Sequence, residues 1–206
     1  MIPWNGITSV TFAYLLGSIP FGYLIVRWRS GTDVRSAGSG NIGATNVLRT
    51  SGRASGIATL VLDCGKGYFA VWLAAALTQH EERFMALAGL AATVGHVFSL
   101  YLKFKGGKGV ATCLGVFLGL AWKPVAVSAV IFLATVLAWR YVSLASLAAA
   151  VSFPILYLLI GERPALADWT LVCGTFCSTL VILKHKDNIK RLLAGTEHRL
   201  TGSPKP

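Results

Sequence analysis

The sequence predicts an all-α, polytopic integral-membrane helical bundle of about seven transmembrane helices, with its N-terminus outside and its C-terminus cytoplasmic. Three observations carry that prediction. Of 206 residues, 54% are hydrophobic and 13% charged, with a mean hydropathy of +0.63, a balance that excludes disorder and does not suit a soluble domain. Apolar runs of 13 to 22 residues recur from end to end, as membrane spans do. Lysine and arginine gather in the short polar stretches between alternate runs, as they do in cytoplasmic loops.

Seven segments make up the pattern. Ile7 to Val26 comes first, and because the first basic residue is Arg27 it has no basic n-region and reads as an ordinary span rather than a cleaved signal peptide. Gly56 to Leu77 and Phe84 to Leu102 follow as full-length spans. Gly109 to Ala121 and Pro124 to Trp139, 13 and 16 residues, fall short of the ~20 that cross a bilayer comfortably, so this stretch reads either as two tilted crossings or as a re-entrant pair. Val142 to Ile160 is long enough to span, and Trp169 to Leu183 is again short. With no internal repeat or low-complexity tract, residues 1–206 read as a single membrane domain.

Charge sets the orientation. Fifteen Lys and Arg fall in the linker Arg27 to Ser55, in Lys103 to Lys108, at Arg140 and in the tail from Lys184 to Lys205, against Arg83, Lys123 and Arg163 on the other side. The fifteen are expected to face the cytoplasm. A net charge of +11 calls for anionic partners. Basic residues scattered through short loops cannot form a groove that tracks a duplex, so nucleic acid is excluded and the lipid bilayer's headgroups and small phosphates remain. Cys64, Cys113, Cys173 and Cys177 all lie in apolar segments without metal-ligand spacing and read as buried thiols. Neither a metal nor a cofactor is expected. The oligomeric state is left open, and a monomer is compatible with the pattern.

The first constellation is GSGNIGATN, Gly38 to Asn46, followed by Arg49, in a Gly/Ser/Thr/Asn-rich linker longer than helical bundles need. Gly38, Gly40 and Gly43 would let successive backbone amides turn inward as an anion-binding nest. Ser39, Asn41, Thr45 and Asn46 would add donors, and Arg49 a charge. The second is KFKGGKGVAT, Lys103 to Thr112, where Gly106 and Gly107 would leave amides open at a helix N-terminus beside Lys108. Because the preceding element is a membrane helix rather than a strand, it is not a nucleotide P-loop. The third is the tail KHKDNIKRLLAGTEHR. Its apolar Ile189, Leu192 and Leu193 suit an interfacial basic helix, a reading that leaves His185 and Asn188 without a task.

Other polar residues have two readings each. His96 lies about two turns before Lys103, roughly 10 Å above the basic loop at 1.5 Å per residue, where it either serves a substrate or fixes a neighbouring helix. Asp63 and Lys66, three apart in one span, explain each other as an internal ion pair. Arg140, Tyr141 and Ser143 mark another cytoplasmic helix boundary. The three constellations fall on one predicted face of the membrane, as a site for a phosphate-bearing substrate would require. The chain holds no HxxxxD acyltransferase box, GxSxG, HExxH or acidic cluster.

GSIPFGYL at 17–24, SAGSGNIGATNVLR at 36–49, GHVFSLYLKFKGGKGVAT at 95–112, RYVSLAS at 140–146 and KHKDNIKRLLAGTEHR at 184–199 resemble, in order and spacing, the bacterial acyl-phosphate-dependent glycerol-3-phosphate acyltransferases, the PlsY family. The resemblance spans nearly the whole chain. It implies an inner-membrane enzyme with seven helices and a cytoplasmic active site. Such an enzyme transfers a fatty acyl group from acyl phosphate to the sn-1 hydroxyl of glycerol 3-phosphate, giving lysophosphatidic acid and phosphate. Carried over by motif, Ser39, Arg49, Lys108, His185 and Asn188 would line the site, with Gly106 and Gly107 in the glycine loop and His96 and Ser143 beside them. The proton acceptor would be either His185 or a substrate phosphate, whose second pKa near ~6 suits the task. The rival reading is an organic-phosphate transporter, whose ligands would sit nearer the midplane on broken, symmetry-related helices.

Overall fold

The computed structural model describes residues 3–162 and 168–200, so Arg163 and Lys205 of the charge count lie outside the described residues. All regular structure among them is helical, in two compact units, Met1–Leu120 and Ala121–Pro206.

The first unit begins with α1 (Trp4–Ser18) and α2 (Phe21–Ser30). The expected span from Ile7 to Val26 lies within these two helices, with a break between them. Pro20 lacks an N–H, collides with the preceding turn and drives Ile19 to extended backbone (φ −60°, ψ 117°), so the helix ends at Ser18 and restarts. The long polar linker is not irregular throughout either. It holds a 3₁₀ turn at Val34–Ser36 and α3 (Ala44–Ser51) before α4 (Arg53–Leu77). α5 (Glu82–Val97) stops five residues short of the predicted span, the chain turning through a 3₁₀ segment at Leu100–Leu102 before α6 (Val110–Leu120).

Small residues let these helices approach closely, the usual device where lipid offers no hydrophobic drive to helix association. Ala13, Ala70, Ala74, Ala88 and Ala92 from α1, α4 and α5 form one buried cluster. α4 and α6 meet almost backbone to backbone: a Cβ at Gly115 would lie 1.8 Å from the Cys64 carbonyl oxygen.

The second unit packs α7 (Trp122–Trp139) on α8 (Val142–Ile160) and α8 on α9 (Trp169–Lys184), with α10 (Lys186–Leu193) beyond. α7 begins before Pro124 because proline in the first turn removes only an N–H that has no helical acceptor. Asp168 caps α9, accepting from the Thr170 and Leu171 amides and from the Tyr157 hydroxyl. Cys113, Cys173 and Cys177 are buried thiols, as expected, the last two one turn apart with their sulfurs 3.9 Å from each other, whereas Cys64 is half-buried.

Among the described residues, Trp4–Ser30, Arg53–Leu77, Glu82–Leu102, Trp122–Trp139 and Val142–Ile160 are long and apolar enough to cross a membrane, while Val110–Leu120 and Trp169–Lys184 are apolar but shorter. Large apolar side chains such as Trp72, Val130, Leu137 and Leu159 face outward, the reverse of a soluble protein and suited to lipid contact. Gly115→Ala is expected to force α4 and α6 apart at a cost of about 1–3 kcal/mol, seen as a thermal midpoint in detergent several degrees below that of the unaltered protein; an unchanged midpoint would contradict this packing.

Candidate functional site

The predicted site residues fall into two groups, one in each unit. In the first, Asp33 caps the 3₁₀ turn after α2, accepting from the Arg35 amide and guanidinium. The hydrogen bond from the Arg35 side chain is the main cause that holds the Asp33 carboxyl below its ordinary range. The chain then turns at Gly38 and Gly40, both left-handed (φ 60° and 69°). Asn46, in the first turn of α3 and 2% exposed, reaches back into this turn. Its Oδ1 accepts from the Ser39 N–H at 2.8 Å, and its Nδ2 lies 3.2, 3.1 and 2.8 Å from the carbonyl oxygens of Val34, Ala37 and Asn41. Asn41 Oδ1 accepts from the Gly43 N–H, and the Gly40 N–H donates to the Ala37 carbonyl.

This corrects the reading of the loop as a nest of inward amides. The amides of Ser39, Gly40 and Gly43 and the side chains of Asn41 and Asn46 hold the loop to itself, as buried and half-buried polar groups must be held. Gly38 serves the same end, since a Cβ there would fall 2.3 Å from Asn46 Oδ1. What the motif leaves facing outward is a smaller set of side chains. Ser39 and Arg49 are exposed, and half-buried Thr45 sits one helical turn before Arg49 on the same face of α3.

The glycine loop is corrected in the same sense. The Gly106 N–H donates to the Val97 carbonyl at 3.1 Å and the Gly107 N–H to the His96 carbonyl at 3.0 Å. These amides therefore strap the loop to the end of α5 instead of lying open at the start of α6. Only glycine fits, because a Cβ at 106 would lie 2.0 Å from the His96 carbonyl oxygen and one at 107 would lie 2.2 Å from His96 Nε2. His96 is accordingly beside the loop, not a turn or two above it. α5 ends at Val97, the Ser99 hydroxyl donates to the Ser18 carbonyl at 2.5 Å, and left-handed Lys103 and Phe104 reverse the chain. Lys108 follows the strap, half-buried. Leu102, just before it, shares a buried apolar cluster with Val34, Ile42 and Val47, which brings both basic motifs to one part of this unit.

The ion pair expected from spacing is present: Lys66 Nζ lies 2.8 Å from Asp63 Oδ1. His96 joins it, with Nδ1 3.6 Å from the same oxygen.

In the second unit His185 is the junction residue, ending α9 and beginning α10. Its Nδ1 lies 2.8 Å from the Val181 carbonyl oxygen. A carbonyl only accepts, so Nδ1 carries a hydrogen, and in the neutral imidazole the lone pair is then on Nε2. Sequence reasoning missed Glu197. One oxygen of its carboxylate accepts from the Ser143 hydroxyl at 2.9 Å and from Asn188 Nδ2 at 2.7 Å, and the other accepts from Arg191 Nε at 2.7 Å. Ser143 and Asn188 thus meet through an acid that neither motif reading used. The available signal was a carboxylate in the basic tail, one of two there with Asp187. Burial pushes the Glu197 carboxyl up, but the hydrogen bonds from Asn188, Arg191 and Ser143 outweigh it and leave the group below its ordinary range. Arg199 Nε donates to the Tyr141 hydroxyl and the Leu200 N–H to the Arg140 carbonyl, returning the tail to the start of α8.

Lipid-facing helices with basic and hydroxyl-bearing loops define an integral-membrane protein that handles anionic groups. A family model described as glycerol-3-phosphate acyltransferase matches residues 7–195. Glycerol-3-phosphate acyltransferases of Geotalea daltonii and Geobacter metallireducens are similar, at 49% identity over 93% of this chain and 96% of the relative, and at 54% over 91% and 93%. Two crystal structures of PlsY (YgiH), an integral membrane glycerol 3-phosphate acyltransferase, share the fold. The glycerol 3-phosphate form has a TM-score of 0.88 at 39% identity, covering 95% of this chain and 96% of that one. The lysophosphatidic acid form has 0.84 at 37%, covering 94% of each. The chain belongs to the glycerol-3-phosphate acyltransferase family of the PlsY type.

Because the folded-state Glu197 carboxyl lies below its unfolded value, its stabilisation is complete above the unfolded pKa and is lost as pH falls through the folded one. Glu197→Gln is therefore expected to lower the thermal midpoint at neutral pH and to flatten its decline on acidification. A decline as steep as in the unaltered protein would show that Glu197 is not the group responsible.

Proposed function

We propose that this chain transfers a fatty acyl group from acyl phosphate to the sn-1 hydroxyl of glycerol 3-phosphate, giving lysophosphatidic acid and inorganic phosphate, the first acylation of phospholipid synthesis. The observation that carries the reading is the presentation of Thr45 and Arg49 on one face of α3, beside a loop that ends in Lys108 and docks on the same buried cluster. Family membership supplies the reaction. The reading includes seven spans, an outside N-terminus and cytoplasmic motif loops in a bacterial inner membrane, supported by the charge asymmetry of the loops.

A mixed carboxylic–phosphoric anhydride is an activated acyl donor, so no covalent enzyme intermediate is required. Ser39, Thr45, Arg49 and Lys108 bind phosphate oxygens, the arginine by its bidentate fork and the lysine as a point charge. His185, through the lone pair on Nε2 of its neutral form, accepts a hydrogen bond from the neighbouring sn-2 hydroxyl of glycerol 3-phosphate and so orients the attacking one. Asn188 and Ser143 are held by Glu197 beside it on the same unit. The hydroxyl oxygen bonds to the carbonyl carbon, the bond from that carbon to the phosphate oxygen breaks, and the hydroxyl proton passes to a substrate phosphate oxygen. Cationic and hydroxyl donors stabilise the tetrahedral oxyanion, since the loop amides are engaged elsewhere.

Purified protein in micelles is expected to release phosphate from acyl phosphate only when glycerol 3-phosphate is present, and not to use acyl-CoA or acyl carrier protein as donor. Arg49→Ala and Lys108→Ala should each lower turnover at least ~10²-fold while remaining folded. Binding without turnover would favour a transporter. His185→Gln is expected to slow turnover and leave the shape of its pH profile intact, because the proton acceptor stays on the substrate; loss of the acid limb in that variant would make the imidazole the base.

A further inference from the structure

We propose that Asp63, Lys66 and His96 form a buried positioning network that fixes Lys108 through the Gly106–Gly107 strap. The inference rests on the phosphate-binding role given to Lys108 above. The three side chains lie on α4 and α5 and are 1–3% exposed. Charges inside a membrane helix bundle are costly to desolvate, and apolar packing of equal volume would serve stability at least as well. What such a network offers instead is a defined geometry, and its contacts lead to the loop.

Lys66 Nζ donates to the Ile19 carbonyl at 2.7 Å, an acceptor released by the break before Pro20. The same ammonium pairs with Asp63, whose Oδ1 faces His96 Nδ1. The other edge of the imidazole and the His96 carbonyl both meet the glycine strap. The carbonyl takes the Gly107 N–H, and all three nearest atoms to a Cβ built at Gly107 belong to the ring, with Nε2 at 2.2 Å. The next residue is Lys108. A polar chain thus runs from the α1–α2 break through α4 and α5 to the peptide that carries the phosphate-binding ammonium. His96 acts through Gly107 and is a positioning residue, which replaces the sequence reading of it as a substrate ligand.

The test is steady-state kinetics in micelles of Gly107→Ala, His96→Ala and the double variant, with thermal midpoints measured on the same samples. Gly107→Ala is expected to lower kcat/KM at least about 30-fold, because its methyl strikes the ring. His96→Ala is expected to lower it about tenfold, mainly by raising the KM of a phosphate substrate, as loss of ground-state binding does. The double variant should fall within about threefold of His96→Ala alone, since the atom the methyl would strike is gone. His96→Asn, with a polar group near the Nδ1 position, and Asp63→Asn should show milder KM increases and carry the same test if an alanine variant does not fold. Additive losses, or lowered midpoints with unchanged kinetics, would overturn the network. Absence of turnover in the unaltered protein would overturn the functional reading and this inference together.

Discussion

The structure depends on one constraint: inside a bilayer, a backbone N–H or C=O that leaves a helix must find a partner within the protein. Two of the spans are interrupted, and each interruption releases such groups. Before Pro20 the carbonyls of Ser18 and Ile19 lose their helical donors and take the Ser99 hydroxyl and the Lys66 ammonium. At the end of α5 the carbonyls of His96 and Val97 take the amides of Gly107 and Gly106. The polar residues of the first unit are consequences of those breaks before they are anything else. A lysine in a membrane helix is explained by the carbonyl it reaches as much as by the aspartate beside it.

The loops that carry the motifs are tied by hydrogen bonds of their own, the turn at Gly38–Gly43 by Asn46 and the strap at Gly106–Gly107 by the end of α5. Those bonds consume the donors that an amide cradle would need and leave the outward side chains as the groups able to meet an anion. Preorganised charge of that kind suits acyl transfer from a mixed anhydride, in which the donor is already reactive and the protein's task is to hold groups in place.

Element type and order were legible in the sequence because apolar periodicity and length report burial in lipid directly. Val142 to Ile160 matches α8 at both ends, and Gly56 to Leu77 misses α4 only by its first turn. The breaks were legible only in retrospect. Pro20 lies in an otherwise apolar run, where neighbouring helices often tolerate proline, and nothing local announces that α5 stops at Val97. The candidate residues in the motifs were legible, but the division of labour among them was not. Glycine, asparagine and serine in a row describe an anion nest and a self-bonded turn equally well, and the choice rests on where the Asn46 amide points. The Asp63–Lys66 pair was legible from its i,i+3 spacing, whereas the arrival of His96 depended on how α5 packs against α4, which no local spacing encodes.

Glu197 shows why the second unit was harder to read than the first. Its three partners, Ser143, Asn188 and Arg191, come from the first turn of α8 and from both turns of α10, separations that no local pattern encodes. Even in a chain of net charge +11, a part-buried carboxylate needs partners of its own. Here Arg191 balances its charge at one oxygen while the Ser143 hydroxyl and the Asn188 amide donate to the other, so the carboxylate is held in one geometry. The acid therefore ties the start of α8 to the first turn of α10, ordering the Ser143 hydroxyl and the Asn188 amide within the second unit.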